Sequence, residues 1–245
     1  MKRMEEMEEN SYEIIALNEH DYCIEDQGVR FFLLQGKDKA LLIDSGMTTV
    51  DARQIVEQLT DKEILLVNTH ADRDHIAGNG GFERFYMHPD EEENYRANKG
   101  TGELLPVREG YVFDLGERTL EVVEIFGHTP GSIGLIDNEN KVLISGDPIQ
   151  QGTIFMFGRF RDLAAYVQGL EHLQTYKSRF QEIWPSHGVL PIATEMIEYD
   201  KQCALAILNG EAEGEKMEVH GRMVTRYTFD LSAFYGEYKY ENQIC

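Results

Sequence analysis

Short apolar runs, separated by glycine and acidic turns, make up the first part of the chain. Four of them, residues 12–17, 22–24, 29–34 and 40–43, are rich in β-branched and aromatic side chains between turn signals. This pattern predicts four successive strands. Residues 49–59 instead carry apolar side chains at helical spacing, which predicts a helix, and residues 64–67 read as a buried strand.

The remaining apolar pattern alternates between short strands and longer helical stretches. Strands are predicted at residues 84–87, 111–113, 120–126, 133–136, 142–144 and 183–184, and helices beginning at His88-Pro89 and covering 161–176 and 192–208. Residues 216–219 and 223–229 predict a hairpin, followed by an aromatic tail that we expect to be loose. Strands first, then strands alternating with helices, indicate an α/β or α+β protein.

Four strong metal ligands follow the strand predicted at residues 64–67. His70, Asp72, Asp74 and His75 lie within six residues, and a glycine-rich stretch comes directly after them. A loop at the end of a strand can turn four side chains toward one point, which a continuing strand cannot do because its side chains alternate faces. Imidazoles and carboxylates crowded in this way indicate a divalent cation site.

Three later residues each stand alone at the end of a predicted strand. His128, Asp147 and His187 are flanked by glycine or proline, which can hold one side chain at a tight turn. Each has an ordinary interpretation when taken singly: an exposed turn histidine, an Asx-turn and a core histidine, respectively. Their combination with the first cluster, rather than any one of them, indicates a metal centre.

Charge and composition narrow the range of partners. The formal net charge of −21 argues against nucleic acid and against an anionic membrane surface. No apolar run reaches membrane-spanning length, and the N-terminal residues lack the apolar region of a signal peptide. The three cysteines, Cys23, Cys203 and Cys245, form no disulfide pattern. We therefore expect a cytoplasmic protein that acts on a small molecule, with its oligomeric state open.

The pattern His70-x-Asp72-x-Asp74-His75 resembles the metallo-β-lactamase superfamily, whose usual form is H-x-H-x-D-H. The later motifs follow in the family's order, and the resemblance covers residues 12–191. It implies an α+β fold, a four-layer αβ/βα sandwich of two mixed β-sheets with outer helices. We expect a single domain over residues 1–245, with its core at about 12–210 and a C-terminal hairpin and tail at 211–245.

The resemblance also assigns roles to the candidate ligands. His70, Asp72 and His128 would hold one divalent ion, Asp74, His75 and His187 a second, and Asp147 would bridge them. A hydroxide between the two ions would attack a small ester, thioester, lactone or phosphoester, with Asp74 as the catalytic residue that orients it. The motif is also similar to that of hydroxyacylglutathione hydrolases, although Asp72 replaces their second histidine and the acidic C-terminal third lacks an obvious basic patch for glutathione.

Asp72 departs from the family, which usually has histidine at this position. Zinc is the expected metal. Because a carboxylate is a harder ligand than imidazole, however, Asp72 shifts the preference of the first site toward iron or manganese. Two alternatives stay open. In the first, Asp72 only hydrogen-bonds a group next to the metal ligands and leaves the first site weak or empty. In the second, the chain is a di-iron or mononuclear redox or sensor protein on the same fold.

The segment at residues 149–161 follows directly after Asp147 and is rich in aromatic residues and arginine. One interpretation is a substrate-facing loop, with Phe157, Arg159 and Arg161 as candidate substrate-binding residues and an arginine holding an anionic group. The alternative, which the sequence supports equally well, is that the aromatic side chains pack beneath the following helix and the arginine side chains are solvated. The other histidines, His20, His88, His172 and His220, stand in no ligand motif and are interpreted as surface or packing residues.

Overall fold

The computed structural model describes residues 12–49 and 51–237. Its strands are β1 (Tyr12–Ala16), β2 (Asp21–Asp26), β3 (Val29–Gln35), β4 (Lys39–Ile43), β5 (Glu63–Val67), β6 (Arg84–Met87), β7 (Glu103–Pro106), β8 (Val112–Asp114), β9 (Thr119–Glu124), β10 (Ile133–Asp137), β11 (Val142–Gly146), β12 (Gly152–Met156), β13 (Glu182–Pro185), β14 (Ile192–Ala193), β15 (Gly214–Val219), β16 (Arg222–Thr228) and β17 (Ser232–Gly236). Its α-helices are α1 (Ala52–Val56), α2 (Arg73–Ile76), α3 (Glu92–Ala97), α4 (Leu163–Gln174) and α5 (Met196–Leu208).

Two mixed sheets form the centre of the fold, as the sequence predicts. The first has the order β1-β2-β3-β4-β5-β6-β7, antiparallel up to β4 and parallel from β4 onward. The second has the order β14-β13-β11-β10-β9-β8, in which only β11 and β13 are parallel. Each of the two sheets therefore contains both parallel and antiparallel strand pairs.

The core is divided between the faces of these sheets. Phe32 and Leu34 of β3 pack toward the second sheet, whereas Phe31 and Leu33 pack toward α1, because successive side chains on a strand point to opposite faces. On the far side of the second sheet, α4 and α5 cover a further apolar cluster. The layers run helix, sheet, sheet, helix, which confirms the predicted αβ/βα sandwich.

A third sheet was not predicted. It has the order β12-β17-β16-β15, and β12 pairs with β17 in parallel. The expected hairpin is present as β15 and β16. Two expectations need correction: the segment at 149–161 contains a strand rather than only a loop, and Ser232–Gly236, part of the tail expected to be loose, is paired in a sheet. Residues 238–245 of that tail lie outside the described ranges.

Several helices are shorter than the apolar spacing predicts. Before α1, the backbone N–H groups of Thr48 and Thr49 donate to the Asp26 carboxylate, and the Asp51 side chain then caps the helix. At the other end of the chain, Ile192 pairs with Ile183 in the second sheet, so that α5 begins only at Met196. Within the described ranges, no helix combines the length and apolar character that crossing a membrane requires.

The loops that carry the candidate ligands meet at one edge of the sandwich. Strands β9, β11 and β13 run in the same direction in the second sheet, so their carboxyl ends share an edge. Backbone hydrogen bonds join the first sheet to this edge, from Ile133 N–H to Thr69 O (2.9 Å) and from Arg30 N–H to Ser186 O (2.8 Å). The end of β5 is thereby placed beside the other three.

Candidate metal centre

The structure brings all seven predicted ligand residues together in two groups. His70, Asp72 and His128 form one group, and Asp74, His75, Asp147 and His187 form the other. Within each group, one nitrogen or oxygen atom per residue lies within 4.8 Å of all the others. We call them the Asp72 cluster and the Asp74 cluster.

The Asp74 cluster contains two histidines and two carboxylates. His75 Nε2 lies 3.2 Å from Asp147 Oδ1 and 3.7 Å from Asp74 Oδ2, and His187 Nε2 lies 3.4 Å and 3.3 Å from the same two oxygens. Ligand atoms about 2.0–2.2 Å from a tetrahedral ion are spaced by similar distances. The four side chains therefore match a metal site in both atom type and spacing.

The Asp72 cluster contains two histidines and one carboxylate. Asp72 Oδ2 lies 3.6 Å from His70 Nε2 and 3.6 Å from His128 Nε2. Asp147 reaches this cluster too, because its Oδ2 lies 3.6 Å from His128 Nε2 and 3.9 Å from His70 Nε2. Asp147 thus directs one oxygen toward each cluster.

Asp44, which sequence reasoning missed, orients His75 directly and His70 through Thr69. Its Oδ2 accepts hydrogen bonds from the Thr69 hydroxyl (2.7 Å) and from His75 Nδ1 (2.9 Å). Because the Thr69 hydroxyl hydrogen is used there, its oxygen accepts from His70 Nδ1 at 3.0 Å. His187 Nδ1 donates to Gly28 O at 2.7 Å. All three rings therefore present Nε2 to the clusters, the usual arrangement of a metal-binding histidine. The available signal for Asp44 was its place at the end of an apolar strand.

Several atoms that face the clusters are buried without a hydrogen-bond partner among the described residues. They include His70 Nε2, His75 Nε2, His128 Nε2 and Asp147 Oδ1. A buried polar atom without a partner is costly, and here four of them converge on two points. The donor atoms of these two groups fit divalent metal ions, and the set of imidazole nitrogen and carboxylate oxygen suits zinc, iron or manganese.

Two glycines allow the ligand loops to pack closely. Gly127, directly before His128, has φ of +114°, and a Cβ there would lie 2.1 Å from Tyr166 N. Gly146, directly before Asp147, has φ of +62°, and a Cβ there would lie 2.8 Å from Thr69 Oγ1. Any other residue would be strained and would displace a ligand loop.

Glu91 ties two of the ligand loops together and was also missed. Its buried carboxylate accepts hydrogen bonds from Ala71 N–H and from Gly131 N–H, both at 2.8 Å. Ala71 lies beside His70, and Gly131 lies just after His128. In the sequence Glu91 looks like any other acidic residue at a helix start, so no pattern distinguished it.

Electrostatics set the protonation of the ligands. Burial opposes ionisation of Asp147, but His187 and His75 outweigh it and hold the pKa of Asp147 well below its usual range. Burial, reinforced by Arg161, lowers the pKa of His128 to about 4. Burial also acts to lower the pKa of His75, yet the surrounding carboxylates raise it well above its usual value. Because a metal ion binds the neutral imidazole, metal binding at the Asp74 cluster competes with protonation of His75 Nε2.

A cavity of about 610 Å³ opens over both clusters. Met47, Phe155 and Phe157 supply apolar surface, and Arg73 and His220 supply polar groups. His220 is exposed, as expected, but it stands at this cavity, on the turn between β15 and β16. The volume suits a small-molecule ligand.

The two candidate substrate arginines differ in position. Arg161 lines the cavity, but its guanidinium already contacts the Asp72 carboxylate. Arg159 is not among the residues that line the cavity; it pairs with Glu93 and lies over the Phe160 ring. Phe157 lines the cavity wall as expected. A substrate-binding role for either arginine stays a prediction.

Comparisons with known proteins agree with this architecture. The family model of the metallo-beta-lactamase superfamily matches residues 25–180, well over half of the chain. A solved metallo-beta-lactamase from Pontibacter korlensis shares the fold with a TM-score of 0.67 and 16% sequence identity, covering 79% of this chain and 99% of that one.

Two curated relatives are similar in sequence. The acyl-coenzyme A thioesterase MBLAC2 of Gallus gallus is 27% identical over 199 residues, which cover 64% of this chain and 71% of the relative. The hydroxyacylglutathione hydrolase GloC of Haemophilus influenzae is 29% identical over 134 residues, which cover 47% of this chain and 63% of the relative. The chain therefore belongs to the metallo-β-lactamase superfamily and is a hydrolase of that family.

Proposed function

We propose that this chain, as a single domain, is a dinuclear metallohydrolase that cleaves a small thioester. The observation that carries the proposal is the placement of Asp147, whose Oδ1 faces the Asp74 cluster and whose Oδ2 faces the Asp72 cluster. A carboxylate with one oxygen toward each of two ligand sets is suited to bridging two metal ions.

Zinc is the expected metal, with iron or manganese as candidates because of Asp72. Two such ions, when bound, lower the pKa of a water molecule toward neutrality and polarise the substrate's carbonyl oxygen. Asp74 is half-buried and lines the cavity, with its Oδ2 facing His187. Its carboxylate is placed to accept a hydrogen bond from the attacking water and to orient it toward the substrate.

The cavity walls favour an acyl compound. Phe155, Phe157 and Met47 offer apolar surface beside the clusters, and this surface suits the hydrocarbon part of an acyl group. Arg73, which lines the same cavity and has no ion pair among the described residues, suits an anionic group of the substrate. Relatives named as an acyl-coenzyme A thioesterase and a hydroxyacylglutathione hydrolase support a thioester over a lactone or phosphoester. We further propose that the chain works in the cytoplasm.

The test is a matched substrate panel. Metal-depleted protein is reconstituted with zinc, manganese or iron(II), then assayed on an acyl thioester, the oxygen ester of the same acyl group, a lactone and a phosphodiester. We expect metal-dependent turnover with the thioester fastest. Protein that holds two metal ions and hydrolyses none of the four would refute the proposal.

A second candidate function rests on the composition of the Asp72 cluster. Two histidines and one carboxylate form the ligand set that non-haem iron oxygenases use. An iron-dependent redox or sensor role is therefore the alternative. Metal analysis separates the two, since a coloured iron protein without hydrolysis supports the alternative and a colourless zinc protein with turnover supports the hydrolase.

A further inference from the structure

Asp72 is held from two sides by residues outside its own loop. Its Oδ1 accepts a hydrogen bond from Asn94 Nδ2 at 3.0 Å, and its Oδ2 accepts one from Arg161 Nη2. The same Oδ2 is the atom that faces His70 and His128. A guanidinium and a metal ion would therefore share one carboxylate oxygen.

Arg161 is fixed where it stands. Its side chain is 10% exposed, and its Nε donates to Phe155 O at 2.9 Å at the end of β12. The next residue, Asp162, caps α4 by accepting from the N–H groups of Ala164 and Ala165. The guanidinium is therefore built into the fold beside the Asp72 cluster rather than reaching in from solvent.

This pairing makes the charges of the two clusters unequal. Asp72 and Arg161 together carry no net charge, so the Asp72 cluster offers a cation two imidazoles, a neutralised carboxylate and one oxygen of Asp147. At the Asp74 cluster, Asp74 contacts histidines but no lysine or arginine among the described residues. A fixed cation close to one site raises the free energy of placing a second cation there.

We propose that Arg161 sets the order in which the centre takes up metal: the Asp74 cluster binds first and tightly, and the Asp72 cluster binds second and more weakly. This rests on the dinuclear function proposed above. Arg161 acts here as a positioning residue, which holds the Asp72 carboxylate and weakens the site by its charge. The expected difference between the two dissociation constants is roughly tenfold or more.

The experiment is a metal titration without substrate. Metal-depleted protein is titrated with zinc, and separately with manganese, by calorimetry and by competition with a chelator of known affinity. The parent protein should show two unequal constants. Asp72→Asn should remove the weaker step, whereas Asp74→Asn should remove the stronger one.

The Arg161→Met variant removes the charge and keeps a long side chain. It should tighten the weaker step roughly tenfold and leave the stronger step unchanged, whereas Arg161→Lys keeps the positive charge and should tighten the weaker step less than Arg161→Met does. Arg159→Met is the matched control, because this nearby arginine is exposed and pairs with Glu93 instead. It should change neither constant. Circular dichroism checks that each variant is folded.

Two equal constants in the parent, or a weaker step that Arg161→Met leaves unchanged or weakens further, would overturn the inference. A parent that binds one ion while Arg161→Met binds two supports it. Because no substrate is present, the result is independent of the reaction. Unequal sites in a protein that hydrolyses no thioester would reject the proposed function and leave this inference standing.

Discussion

At the scale of single residues, the two candidate ligands Asp147 and Asp72 have different surroundings. Asp147 is 6% exposed and contacts histidines of both clusters, whereas Asp72 is partly exposed and paired with Arg161. Asp147 is therefore placed to join the two clusters, whereas Asp72 links its cluster to Arg161. Substitutions of the two should have different consequences.

Asp147→Ala should abolish turnover while the protein remains folded. The residue faces ligand atoms instead of packing in an apolar cluster, so its loss removes the bridge and leaves the core intact. We expect kcat/KM to fall by more than the roughly 10- to 100-fold that losing an outer partner of a metal ligand costs. Kinetics, metal counting and circular dichroism check this. Retention of two ions together with near-parental turnover would show that Asp147 does not bridge.

Asp72→His should strengthen zinc binding only when Arg161 is changed as well. Imidazole is the ligand the family usually has at this position and favours zinc over manganese. With Arg161 present, however, the substitution leaves a guanidinium facing imidazoles and a metal ion without its carboxylate. We therefore expect a clear gain in zinc preference for Asp72→His/Arg161→Met and a small one for the single variant. Additive effects measured by zinc–manganese competition would contradict this coupling.

At the scale of elements, the ligand loops are held in place by residues on neighbouring segments. Asp44 follows β4, Glu91 precedes α3 and Asn94 lies within it, yet all three hydrogen-bond to the loop that follows β5 or to its ligands. The centre is therefore built from several elements rather than from the ligand loop alone.

Glu91→Gln should loosen two loops at once. Glutamine has one acceptor oxygen, so either Ala71 N–H or Gly131 N–H loses its buried partner, which costs about 1–3 kcal/mol. For a chain of this size the melting temperature should fall by several degrees, and metal affinity should weaken as well. Glu92→Gln, an exposed neighbour on α3, is the control. Equal melting temperatures of the two variants would contradict the role of Glu91.

The sequence predicted the strands and ligand loops well because the information there is local. An apolar strand followed by glycine or proline and one ligand can be recognised within about ten residues, as at His128 and His187. The contacts that were missed join distant segments. Arg161 meets Asp72 across 89 positions, and β12 needs β17 as its partner before its aromatic residues form a wall. Local periodicity carries no signal for such pairs.

At the scale of the whole molecule, one buried acid should make stability depend on pH. Asp200 of α5 is fully buried, and its Oδ1 accepts a hydrogen bond of 2.5 Å from the Ser232 hydroxyl at β17. Its Oδ2 has no hydrogen-bond partner among the described residues. Burial raises the pKa of Asp200 to about 8. Between about pH 4 and pH 8 the folded chain therefore retains a proton at Asp200 that the unfolded chain has lost, so the contribution of Asp200 to stability falls as pH rises.

Asp200→Asn should remove this decline. The amide oxygen still accepts from Ser232, and no charge has to be buried at high pH. We expect little change at pH 5 and a gain of at least about 1 kcal/mol at pH 8.5, or ~2–4 °C in melting temperature. Thermal unfolding across this range measures it, with the exposed Asp230→Asn as control. Parallel pH profiles of parent and variant would show that Asp200 is ionised in the fold.

The parallel pairing of β12 with β17 also constrains how the protein is made. All seven candidate ligands precede residue 190, but the strand that supports Phe155 is completed by Ser232–Gly236. Pairing between strands that are distant in sequence is slow to form, and synthesis delivers the N-terminal part of a chain first. A nascent chain therefore has its candidate ligands before it has the strand that completes the cavity wall at Phe155. Premature termination before β17 would also remove Phe234 from the core cluster beneath α4 and α5, so we expect such a product to lack both the finished wall and part of its core.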